Sequence, residues 1–268
     1  MTGPIQRPGY GKTVLAAASL LAILCAAPAS AEESYKSDYR VSLLGLTIAK
    51  SYFTTRVADG AYEVSGSLRS SGLVTVFDDT KGTIDVKGQF TKTGAVPNSY
   101  VVKYRHGKKD KSTSIAFAKG NVTETTNVPP VQKKDKWVEL APESLLGAAD
   151  PISGVMVAAD SIGQVCTQTL HLYDGQTRVD LKLSPVGAPQ PFSTKGFKGD
   201  AVTCSVKFIP IGGYRQGRDA IEYLKNKSKI SLTFASLGKS GIYSPVQAKI
   251  STQIGTVTVY ATRFEKMQ

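Results

Sequence analysis

Polar and apolar residues alternate with period two along most of the chain, and Gly, Asp and Asn interrupt the alternation at intervals. This pattern is typical of antiparallel strands joined by turns. The stretch YRVSLLGLTIAKSYFTTRV is followed by Asp59-Gly60 and then by AYEVSGSLRS, which predicts a hairpin because an Asp-Gly pair suits positive backbone dihedrals. Each strand has one apolar and one polar face, as expected of a sheet that covers a core on one side only.

The alternation continues almost to the end of the chain. It is visible in GTIDVKGQFTKTG, NSYVVKYRHG, STSIAFAKGNVTETT, a second Asp-Gly hairpin QTLHLYDGQTRVDLKLSP, AVTCSVKFIP, SKISLTFASL, YSPVQAKIST and GTVTVYATRF. About a dozen strands with one helical insertion predict a mainly β protein, in which a large curved antiparallel sheet forms a partly closed barrel. A β-sandwich is the alternative.

Two regions break the strand pattern. Residues 127–136 carry two prolines and four charged residues, which predicts a loop. We expect a helical insertion at about residues 142–161, divided into two short helical segments by Asp150-Pro151. A short helix is also indicated by GRDAIEYLKN, and Asp150 and Asp160 flank the insertion as potential caps.

Residues 1–31 have the pattern of a secretory signal peptide. Arg7 and Lys12 precede an apolar stretch, and Ala29-Ser30-Ala31 provides small residues for cleavage after Ala31. The apolar stretch is shorter than the roughly 20 residues that span a bilayer. Leu24, where a lipoprotein needs a small residue, precedes Cys25, so we expect no lipid attachment. The sequence therefore predicts a periplasmic protein whose residues 32–268 form a single β-rich domain without a later membrane span.

Charge and cysteine content become informative once this leader is removed. Without Arg7 and Lys12, 31 basic side chains remain against 21 acidic ones, so the exported chain is basic. Two of the three cysteines remain, Cys166 and Cys204, and an even number in an oxidising compartment favours one disulfide between them.

The proximity of Cys166, His171 and Asp174 raises the possibility of a catalytic nucleophile and its base. On an extended strand, however, residues five positions apart point to opposite faces, which separates Cys166 from His171. His106 and His171 are the only histidines and lack the ligand spacing of zinc sites, so we expect no metal and no cofactor. No Gly-x-Ser-x-Gly motif is present, and Asp78-Asp79 is expected at a turn tip. A pair of carboxylates assembled from distant strands stays open as an alternative.

Two further sets of residues are candidates for binding. One set is basic and could contact anionic envelope components. The alternative is that these residues lie in solvated loops that protect a sheet edge from pairing. The set consists of Lys103, Arg105, Lys108, Lys109, Lys111, Lys133, Lys134 and Lys136. Residues expected to line an apolar cavity inside the barrel are Val64, Leu68, Tyr100, Val102, Leu170, Leu172 and Val257. No nucleic-acid-binding motif is present, so we expect no nucleic-acid partner.

Several stretches resemble a known family. SLLGLTIAKSYFTTRVADGAYEVSGSLRSSGL, LLGAADPISGV, LYDGQTRVDLKL and SPVQAKISTQIGTVTVYATRF are similar to the bacterial exported family called domain of unknown function 3108. The resemblance covers nearly all of residues 32–268 and implies a periplasmic β-rich protein without an established activity. By fold-level analogy, curved sheets of this compartment include lipoprotein carriers and envelope-integrity proteins.

These observations predict a non-enzymatic periplasmic protein that supports envelope integrity. We expect it to act by binding an apolar or lipid ligand, or a protein partner of the envelope. The alternative is a hydrolase of envelope components, with a site assembled from distant residues.

Overall fold

The computed structural model describes residues 1–3, 32–71 and 80–267. The chain divides into two compact units, Met1–Ser30 and Ala31–Gln268, and the fold is that of the second. Asp78-Asp79 and residues 4–31 of the predicted signal peptide lie outside the described residues.

Strands dominate the described part of the chain. In chain order they are β1 (Glu33–Leu43), β2 (Leu46–Ala58), β3 (Ala61–Ser70), β4 (Thr80–Thr91), β5 (Gly94–His106), β6 (Lys109–Ala118), β7 (Asn121–Val128), β8 (Trp137–Val138), β9 (Val157–Ala158), β10 (Thr169–Tyr173), β11 (Arg178–Pro185), β12 (Gln190–Thr194), β13 (Phe197–Gly212), β14 (Tyr214–Arg215), β15 (Ile230–Ser236), β16 (Ile242–Thr252) and β17 (Gly255–Met267). One α-helix, α1, is described, at Asp219–Asn226, where the sequence predicts a short helix.

The strands form one continuous antiparallel sheet in the order β10-β11-β13-β15-β16-β17-β1-β2-β3-β4-β5-β6-β7. Strand β12 adds to β13, β9 adds to β16, and β8 pairs separately with β14. The last strand lies beside the first, with Leu43 opposite Val257 and Ser34 opposite Met267. The prediction of a mainly β protein with a large antiparallel sheet is therefore confirmed, and the sandwich alternative is wrong.

The two predicted Asp-Gly hairpins are present. Asp59 and Gly60 have φ values of 50° and 77°, the left-handed region that a tight two-residue turn requires. At the second hairpin, Asp174 Oδ1 accepts hydrogen bonds from the backbone amides of Gln176 at 2.9 Å and Thr177 at 2.7 Å. Local turn chemistry thus sets the register of both strand pairs.

The barrel is less closed than the sequence suggests. The sheet has two edges, β7 and β10, and these strands do not pair with each other. The insertion crosses between them, with a bridge from Leu146 to Asn121 and another from Ala149 to Leu172. Ala149 donates from its amide to the His171 carbonyl at 2.9 Å and accepts from the Tyr173 amide at 2.8 Å. The sheet is therefore open, and the insertion lies across the opening.

The predicted insertion and loop differ from the structure in detail. Helical structure within residues 142–161 is limited to two short 3-10 turns, Pro142–Leu145 and Ser153–Val155. The predicted loop at residues 127–136 begins only at Pro129, because β7 continues to Val128, which pairs with Ser112. The proline that removes a ladder donor, and not the preceding polar residues, ends the strand.

The core has two clusters of buried side chains. The larger one lies on the concave face, where one cross-strand row joins Tyr35, Thr55, Val64, Val86, Tyr100 and Ile115. Ala148 and Met156 of the insertion pack against this face. The second cluster surrounds the Cys166–Cys204 disulfide, whose two cysteines are fully buried.

The expectation that Cys166 lies on a strand is wrong. It lies in a 3-10 turn, Ile162–Thr167, and β10 begins only at Thr169. The predicted pairing with Cys204 on β13 is confirmed.

Candidate functional site

An apolar groove lies between the concave face of the sheet and the insertion, with a volume of about 330 Å³. It falls within the range of pockets that hold small ligands. Its lining residues are Ser37, Tyr39, Val41, Ser51, Phe53, Thr55, Val64, Ile152, Val155, Met156, Leu232, Ser244, Pro245, Gln247, Ala248 and Val259. Among the described residues, those that line this groove include no charged side chain.

The groove is open because large and small side chains alternate across β1 and β2. Ser37 lies opposite Phe53, and Tyr39 lies opposite Ser51. The rings of Tyr39 and Phe53 meet edge to face with centroids 5.9 Å apart, while the serines beside them fill little space. A small β-barrel is normally filled by its own side chains, so small residues at inward positions leave room for a ligand.

Hydroxyl groups provide the polar contacts of this apolar groove. Ser37, Ser51 and Thr55 are buried on its wall. The Tyr39 hydroxyl donates to the Pro245 carbonyl at 2.8 Å. Burial raises the pKa of Tyr39 to about 12, although hydrogen bonds with Ser37 and Ser244 oppose this effect. The groove therefore stays uncharged near neutral pH and suits an apolar ligand with few polar groups.

The insertion that forms the floor is held by a buried polar cluster. Asp150 Oδ1 accepts from the amides of Ile152 at 2.9 Å and Ser153 at 3.0 Å and so holds the start of the 3-10 turn Ser153–Val155. The Tyr62 hydroxyl on β3 donates to Ser153 Oγ at 2.7 Å. Asp160 precedes the turn Ile162–Thr167, whose first residues receive no side-chain cap.

The residues predicted to line a cavity are distributed over five places. Val64 lines the groove, whereas Leu68 lies on β3 at an exposed position near the strand end. Tyr100 and Val102 border a more polar pocket beside the linker that follows β7. Leu170 and Leu172 pack around the disulfide, and Val257 is half-buried on β17. Of the seven predicted residues, Val64 alone lines the groove.

The predicted basic residues lie near one end of the sheet. Lys103 and Arg105 lie on β5, Lys109 and Lys111 on β6, with Lys108 in the turn between these strands. Arg105 forms a two-pronged ion pair with Asp110, with atoms 2.6 and 3.0 Å apart.

The linker basic residues, Lys133, Lys134 and Lys136, follow β7, and Lys133 pairs with Glu139 at 2.6 Å. Lys111 Nζ lies 5.8 Å from the centre of the Tyr104 ring. These contacts involve exposed groups and contribute little to stability individually.

The structure removes the possible catalytic pair. Cys166 is bonded to Cys204 and cannot act as a thiolate. His171 Nδ1 instead lies 2.6 Å from Asp180 Oδ1 across the hairpin, and Arg178 donates from Nη1 to the same oxygen at 2.6 Å. Burial raises the pKa of the Asp180 carboxyl, but the hydrogen bonds from His171 and Arg178 outweigh it, so the pKa lies below its ordinary value. This cluster joins β10 to β11.

Within residues 32–71 and 80–267, no group of three or more His, Cys, Asp or Glu side chains is placed to hold a metal ion. In the same part of the chain, no helix is long and apolar enough to cross a membrane.

Most groove residues escaped sequence reasoning, which identified Val64 alone. Ser37, Tyr39, Ser51 and Phe53 alternate with outward residues, so period two places each pair on one face. The signal that could have found them is the alternation of aromatic and small hydroxyl residues along that face. Ile152 and Val155 could not be found this way, because their position depends on where the insertion folds back.

The fold and groove define a class of β-barrel-like protein, in which an open antiparallel sheet curves around an insertion. The chain belongs to the family described as protein of unknown function (DUF3108), whose model matches residues 37–262. No curated protein matches it in sequence.

Solved structures with similarity to this chain include a β-barrel-like protein and a hypothetical protein. One is the β-barrel-like protein of domain of unknown function DUF1849 from Brucella abortus, with a TM-score of 0.52 and 10% identity over 90% of this chain and 100% of that one. The other is a hypothetical protein from Chlamydia trachomatis, with a TM-score of 0.29 and 11% identity over 87% of this chain and 86% of that one. The first likeness supports the barrel-like fold alone.

Proposed function

We propose that this protein is a non-enzymatic binding protein that holds an apolar ligand, such as a lipid acyl chain, in the concave groove. The observation that carries the proposal is the uncharged groove of about 330 Å³ between β1, β2, β16, β17 and the insertion. Apolar walls with a few fixed hydroxyls match the usual composition of small-ligand sites. The groove lining has no carboxylate or histidine among the described residues, which supports binding over the hydrolase alternative.

The site of action we propose is the cell envelope, where the protein supports envelope integrity. The export pattern of residues 1–31 supports this location. N-terminal sequencing of the exported protein should begin at Glu32, and a chain that retains Met1 would contradict export by cleavage after Ala31. Mass spectrometry of material from the native envelope distinguishes a copurified lipid from a specific protein partner.

Filling the groove tests ligand binding directly. Ser51→Leu places a larger apolar side chain in the groove, because Ser51 is buried on its wall beside Tyr39. We expect the affinity for a fluorescent fatty acid, measured by titration, to fall by roughly tenfold or more, since the added side chain occupies ligand volume. The thermal midpoint should change little or rise, because added methylenes fill existing space.

The matched control is Thr54→Leu on the same strand. Thr54 is three residues from Ser51 and projects to the opposite, convex face. It should leave the affinity unchanged. Equal affinities for the wild type and Ser51→Leu would contradict the groove as the binding site.

A further inference from the structure

A row of exposed cations crosses five neighbouring strands on the convex face. The strand register places Arg40 opposite Lys50, Lys50 opposite Arg69, Arg69 opposite Lys81, and Lys81 opposite Arg105. All five side chains are exposed. We call these residues the cationic row. At a strand spacing of about 4.8 Å, the row is about 19 Å long.

This arrangement is unfavourable for the sheet itself. Like charges directly opposite each other on neighbouring strands destabilise their pairing. At the end of the row, Arg105 pairs with Asp110 on β6. The like charges of Arg40, Lys50 and Arg69 lie opposite one another and oppose strand pairing, and such a local arrangement indicates a role outside folding.

Exposed aliphatic side chains occupy the hairpin tips at the same end of these strands. Leu44 lies in the turn between β1 and β2, Leu46 begins β2, and Ile254 lies in the turn between β16 and β17. Their exposed fractions are 71%, 69% and 71%. The two turns are neighbours, because the Leu44 amide donates to the Thr256 carbonyl at 3.4 Å.

The backbone conformation of Leu44 is unusual for a residue with an aliphatic side chain. Its φ is 51°, in the left-handed region that is uncommon for a bulky residue and easier for Asn or Gly. An aliphatic side chain is thus kept at a position that is both strained and exposed, which is typical of functional positions.

The tips and the cationic row have the spacing of a membrane-docking surface. Arg40 precedes Leu44 by four residues, which corresponds to about 13 Å along the strand. Side chains that bind at a bilayer surface enter to a depth of about 5–10 Å. With the tips at that depth, the long side chains of the row reach lipid phosphates. Lys108 in the β5–β6 turn and Lys109 at the start of β6 add charge at this end.

We propose that this end of the barrel docks on a bilayer surface rich in anionic lipid. The Leu44, Leu46 and Ile254 side chains enter the boundary between headgroups and acyl chains, and the cationic row contacts phosphates. The proposal stands on surface residues and is independent of whether the groove holds a ligand.

The test is cosedimentation of the full chain with vesicles of phosphatidylcholine alone, or of phosphatidylcholine and phosphatidylglycerol in equal amounts. We expect binding to the anionic vesicles only, and weaker binding at higher salt, because screening shortens the range of attraction. The variant Arg40→Gln/Lys50→Gln/Arg69→Gln should bind the anionic vesicles more weakly, by on the order of fivefold for each cation removed. Leu46→Ser with Ile254→Ser should reduce binding by roughly tenfold or more, since apolar contact with the bilayer is lost.

The matched control removes the same charge from the opposite end of the sheet. Lys92, Lys195 and Lys239 are exposed in or beside turns there, and their combined change to Gln should leave vesicle binding nearly unchanged. Every variant carries the same residues 1–31, so a difference in vesicle binding between variants is caused by the substituted residues.

Two results would overturn the proposal: no binding to anionic vesicles, or an equal loss in the control. Ser51→Leu should bind vesicles like the wild type. The proposal of ligand binding in the groove and the proposal of membrane docking are therefore tested independently. Circular dichroism melts identify any variant that does not fold, and the single change Lys50→Gln then serves as the milder test.

Discussion

Replacing Cys166 and Cys204 together by alanine is expected to lower the free energy of unfolding by about 4 kcal/mol. The disulfide closes a loop with a sequence separation of 38, and cross-linking a loop of that length removes much of the entropy of the unfolded chain. Both cysteines are fully buried, so alanine avoids placing a serine hydroxyl in an apolar site. Denaturant unfolding monitored by circular dichroism measures the change.

The single variants supply the control. Cys166→Ala and Cys204→Ala each open the same loop, so each should cost nearly as much as the double variant. If the losses of unfolding free energy in the two single variants add up to the loss in the double variant, the two cysteines act separately, which would contradict this account. The wild type in a reducing agent should match the double variant closely.

The second large effect is a change in the pH dependence of stability at Asp150. This carboxylate is fully buried beneath the groove, and Oδ2 has no hydrogen-bond partner among the described residues. Burial raises the pKa of Asp150, although hydrogen bonds from Ser153 and Ile152 oppose the shift. We expect Asp150→Asn to remove this titration while keeping an oxygen that accepts from the two amides.

The direction of the effect follows from the raised pKa. The folded state binds the proton more tightly than the unfolded state, whose pKa is about 3.9. The protonated carboxyl therefore favours folding below that value, and this contribution is lost as pH rises through the folded pKa. Between the two pKa values, stability should fall by about 1.4 kcal/mol for each pH unit.

Unfolding free energies measured from acidic to neutral pH test this expectation. The advantage of Asp150→Asn over the wild type should grow with rising pH and then level off. Parallel curves for the two proteins would contradict it. Asp150→Ala is the control for capping: it lacks both the titration and the acceptor, and should be less stable than Asp150→Asn by about 2 kcal/mol.

Local patterns accounted for much of the sheet. The hairpins at Asp59-Gly60 and Asp174-Gly175 were predictable because strand alternation and turn chemistry act over a few residues. The insertion was predictable as a break in the pattern, but not its 3-10 turns, because these depend on Asp150 and Tyr62 contacts that form only after folding.

The nucleophile hypothesis shows a different limit. Strand periodicity argued against Cys166 and His171 as a pair, yet Cys166 lies on a 3-10 turn and not on a strand. The disulfide, and not the periodicity, is what removes the thiol. The correct partner of His171 is Asp180, which only the register of β10 and β11 brings opposite it.

The sequence by itself determined the strand-rich character, the main turns and the pairing of Cys166 with Cys204. The strands and turns depend on short-range spacing, and the pairing followed from the two cysteines outside the predicted signal peptide. Only the tertiary structure decided that the sheet stays open, that serines beside Tyr39 and Phe53 leave a groove, and that cations from five strands form one row. The physical reason is that each of these features depends on long-range register. Residues such as Arg40 and Arg105 become members of one row only when the intervening strands pair.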